Sequence, residues 1–358
     1  MPTRDATPKT CENTSRFVYA NGQRIHVVTR GEGPLVLLVH GFPEFWYSWR
    51  HQMQPFADAG YRVVAPDMRG YGRTSKPRAV HDYRITALVD DLVEVVHALG
   101  ESNAVVVGHD WGALVAWTAA WMRPDVFRAV AALSVPFGGQ GLMALPGDPL
   151  GRRQPSELAA EIAGPGRRFY HAYLADPTGG GPEIERDPRA WLRAALFSFS
   201  GSPPLPEATG ADDTSQADGS LIEFLRSSGV CMPNGTRMAD LMVTPEVLPD
   251  WITETEIDVF AAEFERTGVW GTHYYACLDL SWELLAPFAG QPITVPALYV
   301  GGDRDVATIW AREAIELFPT TVPNLHRAVV LPGCGHWTQQ ERPDEVTAEL
   351  LHFLSAVG

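Results

Sequence analysis

The run Val105-Val106-Val107-Gly108-His109-Asp110-Trp111-Gly112 sets an aspartate between two glycines just where an apolar stretch ends. Gly-x-Nuc-x-Gly is the pattern of a strand-to-helix elbow. Its glycines let the chain turn sharply and present the middle side chain at the carboxyl edge of a sheet, near a helix N-terminus whose dipole keeps a carboxylate ionised. The side chain presented here is the carboxylate of Asp110 in place of a serine hydroxyl. A carboxylate that attacks carbon leaves an ester, and a base must then drive water against that ester. The bland alternative is that Asp110 merely caps the helix.

Companions argue against capping alone. Leu37-Leu38-Val39-His40-Gly41-Phe42-Pro43-Glu44 follows another apolar run, and the Phe42 N–H can pair with that of Trp111 as an oxyanion hole. Gly333-Cys334-Gly335-His336-Trp337 sets His336 on a loop after the last strand signal, as the candidate base. The acid that orients it should follow Ala297-Leu298-Tyr299-Val300-Gly301-Gly302, where Asp303 and Asp305 are the two choices. The chain order nucleophile, acid, histidine is that of α/β-hydrolases.

These residues need a parallel sheet to converge. Short apolar runs at 34–39, 61–66, 103–108, 129–135, 295–302 and 326–333 suit strands covered on both faces, and helical stretches lie between them. Asn21-Gly22 predicts a two-residue hairpin opening the sheet. The strand–helix rhythm stops near Gly138 and returns after about Trp282, with no comparably strong strand between. The expected organisation is therefore an α/β core over 1–137 and 285–358 carrying a mainly helical cap over 138–284. Within the cap, 201–220 has the composition of a solvated loop.

Composition narrows the partners. With 28 basic and 43 acidic residues the net charge is -15, which disfavours nucleic acid and anionic membranes. The four cysteines, Cys11, Cys231, Cys277 and Cys334, lack the spacing of a zinc site or disulfide scaffold and read as free thiols. No signal-peptide run or 18-residue apolar stretch occurs, so a cytoplasmic location is expected.

Taken together, His40-Gly41-Phe42-Pro43-Glu44-Phe45-Trp46, Pro66-Asp67-Met68-Arg69-Gly70-Tyr71-Gly72, Gly108-His109-Asp110-Trp111-Gly112, Gly301-Gly302-Asp303-Arg304-Asp305-Val306 and Gly335-His336-Trp337-Thr338-Gln339-Gln340-Glu341-Arg342-Pro343 resemble the soluble epoxide hydrolase family, above all its bacterial members, over residues 16–357. The resemblance implies an α/β-hydrolase fold with a mostly parallel eight-stranded sheet, and the acid as Asp305. It also implies two cap tyrosines that donate to the epoxide oxygen, falling on Tyr170 and Tyr275. Tyr173 and Tyr274 are neighbouring alternatives, and the stretch after Gly271 is one residue shorter than the family's pattern. A cis bond before Pro43 is implied in the same way.

The expected reaction converts an epoxide and water to a vicinal diol, with a small neutral epoxide and water as partners and no metal or organic cofactor. A homodimer is compatible with the sequence. Trp46, Trp111 and Phe42 are expected to wall the substrate pocket, while Trp49 is equally suited to the core. Glu44 suits either contact with the hydrolytic water or a surface ion pair. Asp67 and Arg69 are expected to brace a rigid loop. A haloalkane dehalogenase shares the Asp nucleophile, but its second halide donor often follows the His-Gly of the oxyanion loop, where this chain has Phe42. A ligand-binding relative with no catalysis is the remaining class, and the intact nucleophile, base and acid argue against it.

Overall fold

The computed structural model describes residues 12–203 and 217–358; Cys11 and most of the 201–220 stretch lie outside them. Its main sheet is built from β1 (Thr14–Ala20), β2 (Gln23–Arg30), β3 (Leu35–Val39), β4 (Arg62–Pro66), β5 (Ala104–His109) and β6 (Phe127–Leu133). After a long insertion containing the short strands β7 (Arg167–Phe169) and β8 (Cys231–Pro233), it closes with β9 (Ala297–Gly302) and β10 (Leu325–Leu331). The eight strands run in the order β1-β2-β4-β3-β5-β6-β9-β10. β1 and β2 form the expected antiparallel hairpin, and from β4 through β10 every neighbouring pair is parallel. Asn21 and Gly22 turn that hairpin with φ of 47° and 70°, as a tight primed turn requires.

Strand alternation divides the core. Val36 and Leu38 point to one face with Val105 and Val107, against Met53 and Phe56 of the helix Arg50–Asp58 and Leu350 and Phe353 of the helix Pro343–Val357. Leu37 and Val39 point to the other with Val106, against the helices Ile85–Ala98 and Trp111–Met122. The latter helix is apolar around its whole circumference because it is covered on every side. Strand order reverses between β3 and β5, and at such a switch point the carboxyl ends of the strands leave a crevice.

The insertion between β6 and β9 packs over that crevice and is mainly helical. It does contain a small antiparallel ladder, β7 with β8, too short to register as an apolar run. The ladder has a positional use: it delivers the chain into the helix Tyr170–Ala175, whose first N–H donates to Val230 O at 2.7 Å. Among the described residues no helix is long and apolar enough to cross a membrane.

The loop after β4 is braced as expected. Asp67 accepts from His26 Nδ1 at 2.7 Å, from Arg73 N at 2.9 Å and from Trp46 N at 3.1 Å. Arg69 forks onto Asp91 at 2.6 and 2.8 Å, with both side chains buried, and ties the loop to the helix Ile85–Ala98. Removing one partner strands a buried charge. Asp91→Ala should therefore lower the unfolding free energy by about 3–5 kcal/mol in urea titrations, whereas the double replacement Arg69→Met/Asp91→Leu should recover most of that loss.

Candidate active site

Asp110 leaves β5 with φ 53° and ψ -122°, a conformation an L-residue adopts only under constraint. The constraint is packing: a Cβ on Gly112 would lie 2.0 Å from Val39 O, so the elbow and the end of β3 touch backbone to backbone. Gly41 likewise leaves room for Asp110, whose Oδ1 would sit 2.3 Å from a Cβ there. The Asp110 side chain does not cap the following helix. Its Oδ1 accepts the Phe42 N–H at 2.7 Å, and the neighbouring Trp111 N–H favours the same charge. Of the two amides expected of an oxyanion hole, that of Phe42 is thus bonded to the nucleophile candidate's own oxygen.

His336 Nε2 stands 3.6 Å from Asp110 Oδ2, and its Nδ1 stands 3.2 Å from Asp305 Oδ1. Asp305 is buried and also begins the helix Val306–Trp310 by accepting the Ala307 N–H at 3.0 Å. Asp303 turns away to accept the Gly333 N–H at 2.7 Å. Sequence reasoning missed Ser134. At φ 71° it follows β6 directly, donates to Asp305 Oδ2 at 2.5 Å and lies 3.0 Å from His336 Nδ1. A lone hydroxyl closing an apolar central strand was the available signal.

Glu44 is fully buried, so the surface ion pair considered for it does not exist. It accepts from His109 Nδ1 at 2.8 Å, from Gly41 N at 3.2 Å and from the amides of Gln339 and Gln340 at 3.1 and 3.0 Å. The other nitrogen of His109 meets His336 O at 2.7 Å, so this network supports the backbone of the base candidate from below.

Asp110, His336, Tyr170 and Tyr275 line one cavity of about 290 Å³. The two tyrosine rings lie 6.0 Å apart, centroid to centroid. Tyr274 instead donates to Arg69 O at 2.8 Å, deep in the core, and Tyr173 donates to Glu183. Phe42 is on the cavity wall as expected, but Trp46 and the Trp111 ring are not. The Trp46 peptide is pinned by Asp67 and its ring packs on Phe45 and Tyr47, while the Trp111 ring stands edge-on behind Tyr275 at 5.1 Å. Trp49 is core. Beside Phe42, Phe199 and Trp337, the aromatic wall includes Trp191 and Trp310, on helices whose apolar spacing looks the same as core packing.

Trp191 is held by Glu183, a buried cap carboxylate that accepts its indole N–H at 3.1 Å. Glu183 also takes the N–H groups of Met238 and Ala239 at 3.1 and 2.6 Å. Neutral donors from separate cap segments therefore fix the wall opposite the core.

Charge is arranged to match. Burial alone would lower His336, but the Asp305 charge and hydrogen bond, with Asp110 behind them, raise it to about 9. Burial raises Asp110, against the pull of His336 and His109 and the bonds from Phe42 and Trp111. Burial also raises Asp305, but His336, Ser134 and the Ala307 amide outweigh it and hold Asp305 below the usual carboxylate range. Burial pushes Tyr170 and Tyr275 well above the ordinary phenol value, so both remain protonated donors. Among the described residues no group of three His, Cys, Asp or Glu side chains is gathered as metal ligands would be.

Residues 34–157 match the family described as alpha/beta hydrolase fold. Over 349 residues the chain is 46% identical to epoxide hydrolase B of Mycobacterium tuberculosis, covering 96% of this chain and 98% of that one. An epoxide hydrolase from an endophytic Streptomyces superposes with a TM-score of 0.85 at 44% identity, over 96% of each chain. Epoxide hydrolase A from Mycobacterium thermoresistibile follows at 0.82 and 38%, over 96% and 98%.

The raised His336 has a linked stability. A folded value of about 9 against an ordinary 6.5 means that the contribution is complete below pH 6.5 and lost as pH rises through 9. The stability advantage of wild type over His336→Asn should therefore shrink across that window in denaturant titrations. Asp305→Asn should bring the His336 titration seen by NMR below its wild-type position.

Proposed function

The chain belongs to the epoxide hydrolases of the α/β-hydrolase fold, and we propose that it opens a neutral, moderately apolar epoxide through a covalent ester on Asp110. The observation that carries this reading is the shared cavity, which the Asp110 carboxylate lines together with the Tyr170 and Tyr275 phenols and with His336, whose Nε2 stands 3.6 Å from Asp110 Oδ2.

In the first step Asp110 Oδ2 attacks an epoxide carbon and the ring C–O bond breaks toward Tyr170 and Tyr275. Their hydrogen bonds meet charge as it develops on the leaving oxygen, where a preorganised donor in a site poor in water has most effect. The phenols are suited to this because they stay protonated. Oδ1, already bonded to the Phe42 N–H, becomes the carbonyl oxygen of the ester.

Ester formation removes the Asp110 charge, one of the influences that raise His336. The proton that His336 then releases balances the one taken up by the alkoxide. Neutral His336, oriented by Asp305 and Ser134, takes a proton from water, and the hydroxide attacks the ester carbonyl. The Phe42 and Trp111 amides hold the oxyanion; on its collapse the bond from the Asp110 carbonyl carbon to the diol oxygen breaks, His336 gives its proton to that oxygen, and the vicinal diol leaves as the regenerated Asp110 carboxyl returns a proton to His336. Base and nucleophile thus act in turn because alkylation itself alters the base.

The walls of Leu174, Trp191, Met242 and Trp310 suit apolar substituents on the substrate. Cys231, Cys277 and Cys334 are buried and unpaired, which supports a reducing, cytoplasmic setting.

Intact mass measures the scheme directly. His336→Ala exposed to styrene oxide should gain the mass of the whole epoxide, and Asp110→Ala should gain nothing. A gain of an alkyl group from chloroalkanes or bromoalkanes, with none from epoxides, would transfer the reaction to dehalogenation. Tyr170→Phe and Tyr275→Phe should each slow adduct formation by about a hundredfold.

A further inference from the structure

The peptides around His336 are held in every direction. The N–H groups of Gly335 and Trp337 donate to Glu341 at 3.0 and 2.9 Å, one to each carboxylate oxygen. Between them the His336 N–H donates to Phe199 O at 2.8 Å, in the segment that follows the cap helix Pro188–Ser198. The Trp337 indole reaches back to Leu196 O of the same helix at 2.9 Å.

The cap is gripped by the same carboxylate. Glu341 Oε2, which holds Gly335, also accepts the Gly201 N–H at 2.8 Å. Gly201 O accepts from Arg304 Nη1 at 2.8 Å, and the Arg304 N–H bonds Cys334 O at 3.0 Å. The contact leaves no room for side chains: a Cβ on Gly201 would lie 2.1 Å from Gly333 O, and one on Gly335 would lie 2.2 Å from Gly201 N. Phe199, Ser200 and Arg304 also line the cavity.

We propose that Glu341 is a positioning residue for the hydrolytic half of the reaction, tying the end of a cap helix to the loop that carries His336. The proposal rests on the ester scheme above. Three backbone N–H groups converge on Glu341, and only a group with no donors of its own accepts them all. Glutamine has the same shape but turns an NH2 toward at least one of them. Without the tie, the loop keeps its Asp305 contact but loses the reference that sets the direction of Nε2. Misplacement by about 1 Å in such a step costs on the order of a hundredfold in rate. Alkylation depends on Asp110, Phe42 and the two tyrosines, none of which Glu341 touches.

Rapid-quench mass spectrometry with styrene oxide separates the two half-reactions. Glu341→Ala should form the ester at close to the wild-type rate and hydrolyse it about ten- to a hundredfold more slowly, so that the adduct accumulates. Glu341→Gln should fall between it and wild type. Gly201→Ala presses on the same contact from the cap side with Glu341 intact, and should show the same selective slowing even if Glu341→Ala does not fold. Equal losses in both half-reactions, or wild-type ester decay, would overturn the proposal. Absence of any adduct in His336→Ala would overturn the two-step scheme and this proposal with it, whereas adduct there with unaltered decay in Glu341→Gln and Gly201→Ala overturns the proposal alone.

Discussion

The site depends on a contact between two backbones. Gly112 lies against Val39 O so closely that no side chain fits between them. That approach holds Asp110 in a conformation costing on the order of 1–3 kcal/mol, which the burial of β3 and β5 in the centre of the sheet sustains. It also determines distances: with the elbow seated on the end of β3, the Phe42 N–H meets Asp110 and the oxyanion hole exists before any substrate arrives. Chemistry that needs fixed dipoles is supplied here by a packing requirement between main chains.

Around that contact stand three carboxylates with no lysine or arginine among the described residues paired to them. Glu44, Asp110 and Asp305 are each set beside a histidine, His109 or His336. Backbone amides and hydroxyls share the remaining compensation, with Gly41, Phe42 and Ala307 donating N–H groups and Ser134 its hydroxyl. Such donors are neutral and immobile, so a charge that disappears from Asp110 is felt by His336 without rearrangement of a counter-ion.

What was legible in the sequence was local. The elbow, the oxyanion loop and the histidine loop each occupy a few consecutive residues bounded by glycine, and the strand runs that aim them are short and wholly apolar. The hairpin was marked by Asn21-Gly22 alone. What was not legible depends on tertiary direction. Tyr274 and Tyr275 are adjacent and chemically alike, and only the helix Thr272–Ala276 turns one into the core and the other to the cavity. Trp46 sits in a recognisable motif, yet the hydrogen bond from its peptide to Asp67 takes its ring elsewhere. Trp191 and Trp310 line the cavity from helices whose periodicity describes ordinary packing. Ser134 acts on Asp305 and His336, and Glu341 joins its own loop to Gly201; these partners are far away in the chain, and a pattern read along the chain does not register such partnerships.

The Glu183 clamp has a consequence for how the protein changes over generations. The bonds that shape the cavity wall join Trp191, Met238 and Ala239 to one carboxylate wholly within the insertion between β6 and β9. The bond-making carboxylate and histidine belong to the sheet on either side of that insertion. Inherited changes in the insertion can therefore alter which molecules are admitted, and which of their two faces is offered to Asp110, while the reacting groups descend unaltered.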